Sequence, residues 1–126
     1  MVIDSSEGVT AARQLTRRWA AELGFSVLDQ TKLVTATSEL ARNIVLYAGT
    51  GMMHISQVEV NARRGLRIVF EDQGPGIRDI ERAMQDGYTT SGGLGLGLSG
   101  SRRLVNEFEL ISEVDQGTRV TVTRWK

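Results

Sequence analysis

Two pairs of short alternating segments constrain this chain most: MMHISQVEV (52–60) with LRIVFED (66–72), and FELISEV (108–114) with TRVTVTRW (118–125). A two-residue period sends successive side chains to opposite faces of a strand. Each pair is interrupted only by a turn-like link, NARRG (61–65) in the first and DQG (115–117) in the second, so both pairs read as hairpins. Gly65 is expected to supply the first reversal. Phe108, Leu110 and Val114 are expected on one face of the third strand, with Val120 and Val122 aligned on the fourth.

The remaining segments carry the helical period. GVTAARQLTRRWAAELGF reads as an amphipathic helix closed by Gly24, and MVID before it as a short edge strand. In LDQTKLVTATSELARNIVLYAGTG, the residues Leu33, Leu40, Ile44 and Tyr47 recur at helical spacing, with Asp29 as N-cap and Gly49 as the stop. RDIERAMQDG and LSGSRRLVNEF supply a later helix pair. Helices, a hairpin, a helix pair and a second hairpin follow one another without regular βαβ alternation. The expected class is therefore α+β: a two-layer sandwich, its sheet mixed or antiparallel, with helices on one face.

Composition narrows the functions. With 126 residues, 40% of them hydrophobic, the chain suits one domain with one core. Fifteen basic residues balance fifteen acidic ones, which removes the electrostatic footprint of a nucleic-acid or membrane-surface binder. No cysteine, membrane-length apolar run or leader-like N-terminus is present in these residues, an expectation of a cytoplasmic protein. A small molecule or a protein is the expected partner.

Three stretches carry candidate chemistry. TTSGGLGLGLSG (89–100) holds five glycines in twelve positions. No Gly-Lys-Ser/Thr follows them, so a P-loop is excluded, and no hydrophobic strand precedes them as a dinucleotide fingerprint requires. The lysine, aspartate and DFG set of the eukaryotic-type kinases is missing as well. Two readings stay open: a turn, or a loop feeding a helix N-terminus whose free N–H groups hold an anion. SELARN places Glu39 and Asn43 one helical turn apart at the margin of the apolar stripe. Such a pair is a solvated polar patch, or a general base beside an oxygen ligand for Mg²⁺. In EDQGPGI, Asp72 follows Leu66, Ile68 and Phe70 on the core-facing side, where a carboxylate needs a donor such as the adenine amino group, or else caps the next helix or shapes a turn. Gly74 and Gly76 flank Pro75, the only proline. Gly117 and Thr118 are explained by a hairpin turn alone. His54 has no partners at metal spacing, and Arg13, Arg17 and Arg18 read as a solvated helix face.

Together, ELARN, DQGPG, GLGLG and GT resemble, in this order and spacing, the ATP-binding fold shared by DNA gyrase B, Hsp90, histidine kinases and MutL. Within that superfamily the chain is most similar to the small bacterial serine kinases of the RsbT type, which act in the stressosome, on the segments AARQL, ELGF, TSELARNI, YAG, EDQGPGI and TSGGLG. The resemblance implies one ATPase domain over residues 1–126, with an N box at 39–43, a first glycine box at 72–76, a lid at 86–92, a second glycine box at 93–97 and a third element at 117–118. It implies Glu39 as catalytic base and Asn43 as Mg²⁺ ligand. Asp72 would bind adenine above Gly74 and Gly76, with Thr118 in support, and Gly93, Leu94, Gly95, Leu96 and Gly97 would hold the phosphates. The implied substrate is a serine or threonine of a STAS-domain partner, whose phosphorylation frees the kinase to activate an output enzyme such as a PP2C-type phosphatase. The alternatives are an anti-sigma factor kinase that sequesters a sigma subunit, and a non-catalytic nucleotide-gated module.

Overall fold

A computed structural model describes residues 1–84 and 97–126. Its elements run β1 (Val2–Ile3), α1 (Ser6–Leu23), α2 (Val27–Asn43), a π-helical turn (Ile44–Ala48), β2 (Gly51–Val60), β3 (Arg63–Asp72), α3 (Ile80–Ala83), α4 (Gly97–Arg103), β4 (Glu107–Glu113) and β5 (Gly117–Trp125). The sheet is antiparallel throughout, in the order β1-β2-β3-β5-β4. One face carries the helices. Leu66, Ile68 and Phe70 of β3, Met53 of β2 and Val120 and Val122 of β5 form one core with Val9, Ala12, Leu33, Leu40 and Ile44 of the helical layer. This is the two-layer α+β sandwich that the hairpins imply.

Local chemistry sets the helix ends. α1 begins at Ser5, whose hydroxyl accepts from Gly8 N–H at 3.2 Å, and ends at Gly24 with φ 90°. Phe25 N–H reaches back to Ala20 C=O at 3.0 Å, which closes the last turn and buries the Phe25 ring. α2 is capped by Ser26, not by Asp29 as the sequence suggests: Asp29 lies three residues further in and donates its own N–H to Ser26 Oγ at 3.1 Å. The Asp29 carboxylate instead receives Arg124 of β5 at 2.7 Å. That hydrogen bond, with the guanidinium charge, holds the Asp29 pKa below its ordinary value. Thr16 and Thr37 meet at 3.1 Å inside the α1–α2 seam, each satisfying the other's buried hydroxyl.

Three expectations change. The first reversal is made by Asn61 and Ala62, with φ 51° and 66°, a two-residue hairpin loop of the kind that follows strand twist. Gly65 sits within β3 opposite Val58 and Trp125. A Cβ there would come within 2.7 Å of the Trp125 ring and 2.9 Å of Arg124 C=O, so glycine is needed for close approach, not for the turn. Val114 falls beyond β4 in the second hairpin's turn and is exposed. The final helix stops at Arg103, short of the expected run.

Candidate functional site

Helix α2 does not end in a simple cap. After Asn43 it widens into one π turn, in which Gly49 N–H bonds Ile44 C=O at 2.9 Å, five residues back. Such turns are uncommon and recur at functional sites. The extra width turns Tyr47 outward to half exposure, so it borders a cleft and does not continue the buried stripe of Leu33, Leu40 and Ile44.

That cleft, of about 380 Å³, lies between α2 and the ends of β3 and β5, a volume in the range of small-ligand sites. Leu40, Ile44, Phe70, Ile77, Leu98 and Val120 supply its apolar walls, and Glu39, Asn43, Asp72 and Thr118 its polar groups. Arg78, Asp79 and Arg82 lie at its α3 side. The sequence-predicted residues from three separate stretches therefore meet in one place.

Glu39 is the outstanding member. Its side chain is 5% exposed, deeper than the stripe margin suggested by helical spacing, and its Oε1 has no hydrogen-bond partner among the described residues. A carboxylate oxygen in that position is costly to leave unmatched, so it suits an incoming hydroxyl or a metal-bound water. Asn43, one turn on and half-buried, adds a side-chain oxygen of the type Mg²⁺ takes. Among the described residues no group of three His, Cys, Asp or Glu is placed to hold a metal. A single Asn beside ligand phosphates is nevertheless a donor set that Mg²⁺ accepts.

Asp72 Oδ1 accepts the Gly74 N–H at 2.9 Å, a local turn that aims the carboxylate at the cleft. It does not cap α3, which is capped by Asp79 through Arg82 N–H at 3.0 Å. The loop after Asp72 is pinned to the β4–β5 hairpin: Asp115 N–H bonds Pro75 C=O at 2.8 Å, and a Cβ on Gly76, whose φ is 76°, would overlap the Glu113 carbonyl. Gly76 lines the cleft. Gly74 packs on Ala48 at the end of the π turn, where a Cβ would approach the Ala48 Cβ to 2.6 Å, and is not in the lining. Gly117 has a larger part than a turn requires. Its φ is 122°, and a Cβ would overlap the Asp72 carbonyl oxygen and lie 2.9 Å from Gln73 Cα, so the lack of a side chain lets β3 and β5 bring Asp72 and Thr118 face to face.

Gly93, Leu94, Gly95 and Leu96, with the lid at 86–92, lie outside the described residues, and Gly97 opens α4. Leu98 joins the core and the cleft wall as expected of its place in the Leu-Gly alternation. Sequence reasoning missed Ser112. Its hydroxyl accepts Ile77 N–H at 2.8 Å, donates to Gly117 C=O at 3.1 Å and meets Thr118 Oγ1 at 2.9 Å. The signal available was a serine where the Phe108, Leu110 alternation calls for an apolar residue. Outside the cleft, His54 pairs with Glu71 at 3.3 Å, and Arg119 with the same carboxylate at 3.4 Å. Arg13, Arg17 and Arg18 are exposed on α1. No described helix is long and apolar enough to cross a membrane.

Comparison with known proteins bears on the family and the fold. The family model described as histidine kinase-, DNA gyrase B-, and HSP90-like ATPase matches residues 28–126. Serine/threonine-protein kinase RsbT of Bacillus subtilis is 54% identical over 117 residues, covering 93% of this chain and 88% of that protein. The anti-sigma F factor of a Thermoanaerobacter species is 28% identical over 128 residues, covering 98% and 89%. In fold, the chain superposes on a crystal structure of the RsbU and RsbW domains of a Mycobacterium tuberculosis protein with a TM-score of 0.65 at 19% identity, spanning all of this chain and 32% of that one. A mycobacterial sensor histidine kinase, MprB, gives 0.56 at 18% identity, covering 99% of this chain and 96% of that one.

Proposed function

Since the chain belongs to the histidine kinase-, DNA gyrase B- and HSP90-like ATPase family, and within it to the family of the RsbT serine/threonine-protein kinase, we propose that it is an ATP- and Mg²⁺-dependent protein serine/threonine kinase. The observation that carries this reading is the buried Glu39 carboxylate, one oxygen of which is unmatched, in the lining of a cleft that also holds Asn43, Asp72 and Thr118. Asp72 and Thr118 hold the adenine at one end, with Gly76 and Ile77 beside it. Gly74 supports that end from behind through Ala48. Asn43 would hold Mg²⁺, which when bound would neutralise phosphate charge, and residues 93–97 would take the phosphates. Glu39 accepts the proton of the serine or threonine hydroxyl as that oxygen bonds the γ-phosphorus and the bond from phosphorus to the β,γ-bridging oxygen breaks, with ADP leaving, a role contributing about 10² to 10⁴ in rate.

The protein substrate proposed is a STAS-domain antagonist or scaffold. Its phosphorylation releases the kinase to activate a PP2C-type phosphatase or similar output enzyme in the cytoplasm, with residues 1–126 acting as one ATPase domain. The 54% identity to a serine/threonine kinase, against 28% to an anti-sigma F factor, favours this over sigma sequestration. Calorimetric titration with ATP and Mg²⁺ tests the site: Asp72→Ala should weaken binding by about 10- to 100-fold, the worth of a hydrogen bond to a charged group. Equal affinity in the two proteins would remove Asp72 from the adenine site.

A further inference from the structure

We infer that Ser112 is a positioning residue that fixes the direction of the Thr118 hydroxyl and so makes the base end of the cleft selective for a 6-amino purine over a 6-oxo purine; this rests on the adenine-nucleotide reading above. A serine hydroxyl has one proton and two lone pairs. At Ser112 three partners converge: Ile77 N–H at 2.8 Å, Gly117 C=O at 3.1 Å and Thr118 Oγ1 at 2.9 Å. An amide N–H only donates, so Ile77 occupies one lone pair. A carbonyl only accepts, so Gly117 takes the proton. All three bonds coexist only when Thr118 donates its proton into the second lone pair of Ser112.

The consequence is on the cleft side. Thr118 lines the cleft, and with its proton committed to Ser112 it offers that cleft acceptors alone. An ionised carboxylate likewise only accepts, so Asp72, paired in register with Thr118 across β3 and β5, presents the same polarity. Two acceptors side by side match the exocyclic amino group of adenine. They oppose the carbonyl oxygen that hypoxanthine and guanine carry at the same position. Ser112 touches no ligand in this arrangement; it acts through Thr118, and it also ties down the loop at Ile77.

Inosine triphosphate exchanges the 6-amino group for an oxygen, so its binding beside that of ATP reads the polarity directly. The unsubstituted chain should prefer ATP by about a hundredfold, the scale of one hydrogen bond to a charged group. In Ser112→Ala the Thr118 hydroxyl is free to turn and donate into the cleft, and the preference should fall by about tenfold, the scale of one neutral hydrogen bond. Ser112→Thr keeps the hydroxyl and should keep the preference. Thr118→Val should lower the preference as Ser112→Ala does, and adding Ser112→Ala to it should change the preference no further. Equal weakening of both nucleotides in Ser112→Ala, or an unchanged preference, would overturn the inference and leave Ser112 as loop support only. If the unsubstituted chain bound neither nucleotide, the adenine reading itself would fall, and the inference with it.

Discussion

Replacing Gly117 with alanine should destabilise the protein by about 4 kcal/mol, roughly twice the effect of the same replacement at Gly49. Both glycines have positive φ, 122° and 83°, so alanine at either is strained by about 1 to 3 kcal/mol. Their surroundings differ. At Gly49 nothing lies within 4 Å of an added Cβ, whereas at Gly117 the added atom overlaps the Asp72 carbonyl oxygen and lies 3.0 Å from its carbon and 2.9 Å from Gln73 Cα. Those are main-chain atoms of a strand end, which cannot rotate aside as a side chain can. Forcing them apart adds a further overpacking cost of about 1 to 3 kcal/mol. Against a total stability of about 5 to 15 kcal/mol, the Gly117 variant keeps a marginal fold. Urea titration followed by circular dichroism measures the difference. With a slope of about 2 kcal/mol per molar, the midpoint should fall by about 2 M for Gly117→Ala and about 1 M for Gly49→Ala. Equal shifts would show that backbone conformation alone explains both glycines, and would refute the claim that Gly117 is there to let β3 and β5 close on the cleft.

Two further predictions concern parts of the fold remote from Gly117. Thr16→Val should cost about 1 to 3 kcal/mol by leaving the buried Thr37 hydroxyl unmatched, while the double Thr16→Val, Thr37→Val variant should recover most of that loss in the same titration. Asp29, whose pKa is lowered chiefly by its hydrogen bond from Arg124, contributes stability that is fully present above its ordinary value of 3.8 and is lost as pH falls through the lower folded value. Thermal unfolding of Asp29→Asn should therefore decline less steeply with acid in the region below pH 3.8 than that of the unsubstituted chain; parallel acid profiles would contradict the pairing.

How legible the molecule is in its sequence depends on the range of the force involved. The strands of both hairpins and the glycine end of α1 follow from period and local backbone preference, and the structure has them there, except that β3 starts earlier, at Arg63, and β4 ends before Val114. The cap of α2 does not, because Ser26 and Asp29 are both good local candidates and the choice is made by Arg124, 95 positions away, which claims the aspartate. Gly65 reads as a turn for the same reason: what requires it is the Trp125 ring arriving from β5. In the site, Glu39 and Asn43 are legible from helical spacing, and Asp72 from an acid in line with core residues. The depth of Glu39 is not, since burial on the helix margin is completed by the sheet. The partners of Ser112, a residue visible in the sequence only as a serine out of step with Phe108 and Leu110, and the second role of Gly117 arise where the loop after Asp72 crosses the last hairpin.

The central claim is that Glu39 is the base of a phosphotransfer reaction, and Glu39→Gln tests it most directly because glutamine keeps the shape and loses the proton acceptor. With γ-labelled ATP, Mg²⁺ and a STAS-domain partner, the unsubstituted chain should label the partner on serine or threonine. The Glu39→Gln variant should bind ATP within a few-fold of normal, yet transfer phosphate about 10² to 10⁴ times more slowly. Transfer at an undiminished rate by that variant would contradict the account.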